Sequence, residues 1–217
     1  MKLRERFLRK MTKSPSVADR EPLGSGPENR HGMPVLPPEQ IQTQKWPVLD
    51  LGLHPTIELS EWRLTLKGYC STSLTLNWED FMALEQVEDT SDFHCVTTWS
   101  RLDIPFKGVR FSELAALAGA DEQAKFILCK SYDGYTTNIS MEEALKDDVL
   151  LVHTAFGKPL EKEHGGPVRM VTPQLWAWKG AKWITQIEFL KEDQPGYWEV
   201  RGYSNTAYPW RNDRYSD

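Results

Sequence analysis

"EKEHGGPVRMVTPQLWAWKGAKWITQIEFL", residues 161–190, is the least generic stretch of the chain. His164-Gly165-Gly166-Pro167 reads as a tight turn whose glycines admit close backbone approach. On the strand expected to follow, Val168, Met170 and Thr172 point one way and Arg169 and Val171 the other. Arg169 then needs a partner. Its guanidinium is a rigid fork suited to phosphate, and Lys179 and Lys182, with Gly180 between them, add point charges. Two readings follow: an anion site for a charged cofactor, or a loop arginine paired with an acid beside two solvated lysines.

A second informative stretch is "SDFHCVTTWS", residues 91–100, which sets Cys95 between His94 and Val96. No C-x-x-C pair is present, and Cys70 and Cys129 lie far away in sequence. Cys95 is therefore an inert core thiol, a nucleophile or a ligand. A nucleophile needs a base, and neighbours on a strand face opposite sides, so His94 is poorly placed for that task unless the backbone bends.

The wider chain sets the frame. Its 217 residues, nine of them tryptophan, suffice for one sizeable core and one domain. Acidic residues outnumber basic ones by 31 to 26, which argues against nucleic acid as a partner. Three cysteines fit free thiols in a reducing compartment, so a cytoplasmic protein is expected. The basic start "MKLRERFLRKMTKSPSVADR" precedes no apolar run of signal-peptide length and holds no twin-arginine pair, so export is not indicated. No stretch approaches the roughly 18 to 20 apolar residues of a membrane span.

Residues 1–40 hold six of the fourteen prolines, no tryptophan and no periodic pattern, and read as a disordered or extended tail before a domain over 41–217. "EWRLTLKGYC" alternates as a half-buried strand that Gly68 ends. "LNWEDFMALEQ" and "FSELAALAGA" read as short helices capped by Asn77 and Ser112, the second stopped by Gly119. Two β-rich runs flank Asp133-Gly134 as a hairpin, and Ser140 with Glu143 forms a capping box. Strands are expected in "VLLVHTAF", "PVRMVTP" and "AKWITQIEFL". Without a βαβ rhythm, the fold class is α+β with a mixed or antiparallel sheet.

With "DFHCVTTWSR", "SYDGYTTN", "HGGPVR" and "AWKGAKW" in this order and spacing, the chain from about Gln44 onward resembles the molybdopterin-binding domain of the sulfite oxidase family. It is most similar to short bacterial members that lack a haem domain. The resemblance implies a sulfite oxidase-type molybdopterin-binding fold and a molybdenum-molybdopterin cofactor. It implies two-electron oxygen-atom transfer on a small sulfur-containing or similar oxo substrate, or a pterin-binding module without catalysis. Cys95 falls on the family's molybdenum ligand, where soft thiolate sulfur suits the metal. His164, Arg169, Gly180, Ala181 and Lys182 fall on its pterin- and phosphate-contacting positions. Ser131, Trp46 and Asp50 match further pterin contacts of the related methionine sulfoxide reductases. Tyr203, five residues after Trp198, falls on the family's active-site tyrosine, and Arg101 is the one basic residue after the cysteine motif. Sulfite oxidases of animals and plants carry paired arginines there, which puts sulfite in doubt and leaves the direction of transfer open. With no C-x-x-C-H haem site and no room for the family's dimerisation domain, a separate electron-transfer partner and a monomer or weak dimer are expected.

Overall fold

The computed structural model describes residue 17 and residues 20–216. In chain order its strands and α-helices begin with β1 (Ser25–Glu28), β2 (Pro34–Leu36), β3 (Ile41–Gln42), β4 (Leu64–Gly68), β5 (Leu74–Leu76) and α1 (Trp78–Ala83). They continue with β6 (Val87–Cys95), β7 (Trp99–Arg110), α2 (Phe111–Ala118), β8 (Phe126–Ser131), β9 (Thr136–Ser140) and α3 (Met141–Ala144). The last are β10 (Leu150–Ala155), β11 (Lys158–Pro159), β12 (Arg169–Val171) and β13 (Ile184–Leu190). This is the α+β class that the pattern predicts.

Two sheets carry the domain. One runs β5-β4-β13-β8-β9, with β13 parallel to β4 and antiparallel to β8. The other is built on the long β7, which pairs with β6 and β10, while β12 joins through β10. Each buries its own cluster. Trp62, Phe81, Phe111, Ile184 and Phe189 belong to the larger core, and Phe93, Ile104, Phe106 and Val152 to the smaller. The strand β12 divides its side chains between the two. Val168, just before it, and Met170 enter the larger core, whereas Val171 enters the smaller.

Local chemistry explains the boundaries. Asn77 caps α1 with a full capping box to Asp80, and Gly119 ends α2 in the left-handed region at φ 61°. Asp133-Gly134 turns β8 into β9, with Gly134 at φ 86°. Two local expectations are corrected. Ser112 lies inside α2 and does not cap it; the N-cap is Arg110, because β7 runs straight into the helix and Phe111 is fully buried at its start. Ser140 does accept from the Glu143 N–H, but the Glu143 carboxylate turns to Lys146 and Tyr208 in place of closing the box.

The larger correction concerns the expected tail. Residues 1–16, 18 and 19 lie outside the described residues, but from residue 20 the segment is laid onto the domain. The strands β1 and β2 form an antiparallel pair, and β3 joins the start of β7 in parallel. Arg30 grips Asp89 with two bonds of 2.6 and 2.7 Å, and Trp210 Nε1 donates to Pro34 O at 2.5 Å. Polar anchoring of this kind leaves no apolar periodicity in the sequence.

Gly108 in β7 lies between β6 and β10, where an added Cβ would sit 2.1 Å from Leu151 O. Gly108→Ala should therefore lower stability by about 1–3 kcal/mol, the usual cost of overpacking, read as a lower urea midpoint at unchanged slope.

Candidate active site

Where the two cores meet lies an open cavity of about 360 Å³. Five segments converge on it: the irregular stretch after β3, the β6–β7 hairpin, the β8–β9 turn, the segment from His164 to Trp183, and the C-terminal Trp198 and Tyr203.

At one end the cavity is cationic. Arg169, 2% exposed, donates from Nη1 to His164 O and from Nη2 to Gly180 O, both at 3.1 Å, and from Nε to Met170 O at 3.3 Å. Among the described residues no carboxylate pairs with it. Burial pulls its pKa down to about 10, so it stays charged at neutral pH. Phe93 and Trp46 offer it their ring faces at 5.1 and 5.7 Å. Lys182 Nζ donates to Glu163 O at 2.8 Å and lies 3.4 Å from the Asp50 carboxylate. Burial and the charge of Arg169 pull Lys182 down to about 8. His164 stacks on Trp46 at 4.0 Å and is held neutral, with a pKa near 4, by burial and the two cations. Burial works against the charge on Asp50, but bonds from Gly52 N–H and His54 and the charge of Lys182 keep it below the usual range.

The glycines here leave no room for side chains. A Cβ on Gly165, at φ 104°, would meet Lys182 and Arg169 near 3 Å, and one on Gly180 would lie 2.6 Å from Met170 O.

The other end is aromatic and uncharged. Cys95 closes β6 opposite Trp99, and Thr98 at φ 74° makes the turn between them. The Cys95 Sγ lies 3.1 Å from Thr97 Oγ1. Burial pushes the thiol up, against bonds from Thr97 and the charges of Arg214 and Arg169. Phe93 and Cys95 alternate onto the cavity, while His94 faces the opposite side, bonded through Nδ1 to Ser100 Oγ at 2.8 Å. Burial holds His94 near pKa 3, so it is no base for Cys95. Tyr203 reaches the cavity from between Trp178 and Trp198, at centroid distances of 5.1 and 4.9 Å. Burial, with lesser effects of Tyr215 and Cys95, raises its hydroxyl, which favours the protonated donor.

Of the residues singled out in the sequence, Cys95, Tyr203, His164, Arg169, Gly180, Lys182, Trp46 and Asp50 share this wall. Others do not. Ala181 is fully buried and contributes its carbonyl to Met170 N–H at 2.9 Å. Ser131 lies behind the wall with a buried, unpartnered Oγ, and Asp133 and Tyr135 of the adjoining turn line the cavity in its place. Arg101 leans over Phe156 and donates to Gln44 Oε1 at 2.7 Å, away from Cys95. Lys179 is withdrawn into a buried pair with Glu199 at 2.7 Å. Sequence reasoning missed Trp99, Trp178 and Trp198, because a tryptophan in a sequence does not say which of its faces is covered.

The profile described as "Oxidoreductase molybdopterin binding domain" matches residues 51–198. The chain belongs to this family. It is 40% identical, over 83% of its length and 92% of the other's, to the uncharacterized oxidoreductase YuiH of Bacillus subtilis (strain 168). It is 28% identical, over 73% of its length, to the protein-methionine-sulfoxide reductase catalytic subunit MsrP of Campylobacter jejuni, of which it spans 58%. The sulfane dehydrogenase SoxCD from Paracoccus pantotrophus shares the fold at TM-score 0.59 and 20% identity, with 84% of this chain and 49% of that one covered. The chain is thus a molybdopterin-binding oxidoreductase of the sulfite oxidase family, and its cofactor is molybdenum-molybdopterin. The site fits such a group: a buried guanidinium without a carboxylate, a second cation and a glycine-lined approach suit an anionic pterin.

Arg169→Lys should weaken retention of the pterin about tenfold to a hundredfold although charge is kept, since charge-assisted bonds contribute roughly 1.5–3 kcal/mol each. Pterin released oxidatively after dialysis and measured by fluorescence checks this. The pH dependence has a definite sign. Lys182 carries its charge below about 8, and a bound anion raises that value, so anion affinity should fall as pH rises from about 8 toward the higher value. Titration of the protein with the pterin at pH 7 and pH 9 should show the fall, and Lys182→Ala should flatten it.

Proposed function

We propose that this chain reduces small, neutral sulfoxide-type substrates, with Cys95 as thiolate ligand to molybdenum. The observation that carries the reading is that, among the described residues, no cationic side chain is bonded to Cys95 or Thr97, and Arg169 and Arg214, whose charges reach the thiol, donate to backbone carbonyls. Thr97, Trp99, Trp178, Trp198 and Tyr203 surround the thiol there, whereas Arg101 points elsewhere. An anion such as sulfite would be desolvated there with no direct cationic bond, offset only by the charges of Arg169 and Arg214 acting through space, while a neutral sulfoxide would leave water for aromatic faces at small cost. The relatives named as methionine-sulfoxide reductases support the same direction.

The bound molybdenum cofactor supplies two-electron exchange and oxygen-atom transfer. The chain's own residues bind and orient. Arg169 and Lys182 hold the anionic end, His164 and Trp46 form a flat neutral wall, and the indoles exclude water around the substrate. The Tyr203 hydroxyl, kept protonated, donates a hydrogen bond to the substrate oxygen. The overall change takes one sulfoxide, two electrons and two protons to one thioether and one water. The electrons come from a separate redox protein. We also propose a cytoplasmic setting and a monomer or weak dimer; among the described residues no helix is long and apolar enough to cross a membrane.

The loaded protein, supplied with a reduced viologen, should consume methionine sulfoxide at least about a hundredfold faster than it oxidises sulfite with ferricyanide, a gap of roughly 2.7 kcal/mol in transition-state binding. The opposite preference would overturn the reading. Cys95→Ser should keep the fold but lose at least about a thousandfold in turnover and most of its metal, since a hard alkoxide replaces a soft thiolate. Wild-type turnover by a fully loaded Cys95→Ser protein would remove the ligand assignment.

A further inference from the structure

The strand β6 separates two cavities. Phe93 and Cys95 face the one already described, while Thr90, Asp92 and His94 face a second, of about 180 Å³, on the reverse side. Its wall is completed by Asp103, the indole of Trp210, Val35 and Pro173, and by Arg30 and His31 of the N-terminal segment.

Two features of this second cavity leave acceptors open to a ligand. The first is the His94 imidazole, 1% exposed, whose Nε2 is buried without a hydrogen bond. Ser100 Oγ donates to Gln40 Oε1 at 3.0 Å, so it accepts from His94 Nδ1–H at 2.8 Å. That arrangement leaves Nε2 with a lone pair. The second is a pair of carboxylates. Neither Asp92 nor Asp103 forms an ion pair among the described residues; Asp92 Oδ1 accepts from the Asp103 backbone N–H at 3.0 Å. Burial first, and the charge of Asp103 after it, push the Asp92 carboxyl up, against the Asp103 N–H bond and the charges of Arg30 and His31. The cations present do not fill the gap. Arg30 is held by Asp89 and Ser91 and lies 3.7 Å from Asp148, while His31 lies 3.2 Å from Asp148.

We propose that this second cavity binds a guanidinium group. A guanidinium carries five N–H donors in a planar fork, which suits acceptors on Asp92, Asp103 and His94 Nε2, and its flat face suits the Trp210 indole. The inference does not rest on the sulfoxide reading, because none of these residues touches the first cavity.

The test is calorimetric titration of the full chain with methylguanidinium chloride and, separately, with the capped tripeptide acetyl-Gly-Arg-Gly-amide. Saturable binding at one site per chain is expected, weakened at least about tenfold by either Asp92→Asn or Asp103→Asn. Asparagine suits position 103, whose φ is 54°, so that variant should fold as the wild type does. Tighter binding of the peptide would assign the ligand to an arginine of a partner protein, and equal binding to a free small cation; both support the site. No saturable binding of either probe to the wild type, or undiminished binding by both asparagine variants, would overturn it.

Discussion

The site depends on a guanidinium that is buried without a counter-ion. Moving such a charge out of water costs several kcal/mol even after the surroundings relax. Three backbone carbonyls and two ring faces offset much of that cost for Arg169 but cannot cancel its charge. Those carbonyls come from His164, Met170 and Gly180, so the same bonds that solvate the cation also fix the two glycine-bearing segments around it. Stabilisation of the chain and preparation of an anion site are one arrangement. A carboxylate in place of the carbonyls would have satisfied the arginine and left nothing for a ligand.

Strand periodicity distributes everything else. On β12 and the residue before it, successive side chains enter the larger core, the cavity, the larger core and the smaller core, which locks Arg169 at the seam between two packed clusters. On β6 the same alternation gives Cys95 one cavity and His94 another. A slip of one residue in the pairing of β6 with β7 would exchange the two faces and place an imidazole where the thiol now stands. Further along β7, Gly108 lets β10 approach, because a side chain there would meet the Leu151 carbonyl.

Much of this was legible in the sequence, for identifiable reasons. The alternation in β4, the strands expected at β12 and β13, the Asn77 cap and the Asp133-Gly134 turn are local signals, and the structure bears them out. The close approach at Gly165 and Gly180 was legible because a backbone that leaves no room for a Cβ demands glycine. What escaped was decided by distant partners. Residues 20–42 hold to the domain through Arg30, through the Trp210 ring and through a two-residue strand, none of which creates a pattern within its own window. Arg101 and Lys179 looked like ligand cations by position alone, yet Gln44 and Glu199, 57 and 20 residues away in the chain, claim them.

The distribution of cations then bears directly on the choice of substrate. Arg101, Lys179 and Arg214 all lie near the first cavity in sequence or space, and each is turned to fixed partners: Gln44, Glu199, and the carbonyls of Val96 and Pro38. Among the described residues that line the cavity, Arg169 and Lys182 are the lysine and arginine cations, and both sit at one end. Because Coulomb attraction in a partly dry cavity reaches farther than in water, withdrawing the other cations matters as much as placing these two. Beside Cys95, by contrast, positive charge acts only through space, from Arg169 and Arg214, whose donors are turned to carbonyls. Arg214, bonded to the backbone of the residue after Cys95 and packed 4.5 Å over Trp176, shows how this is achieved: the guanidinium shapes the turn that carries the thiol and acts on Cys95 through its charge, while its N–H donors are turned to the carbonyls of Val96 and Pro38.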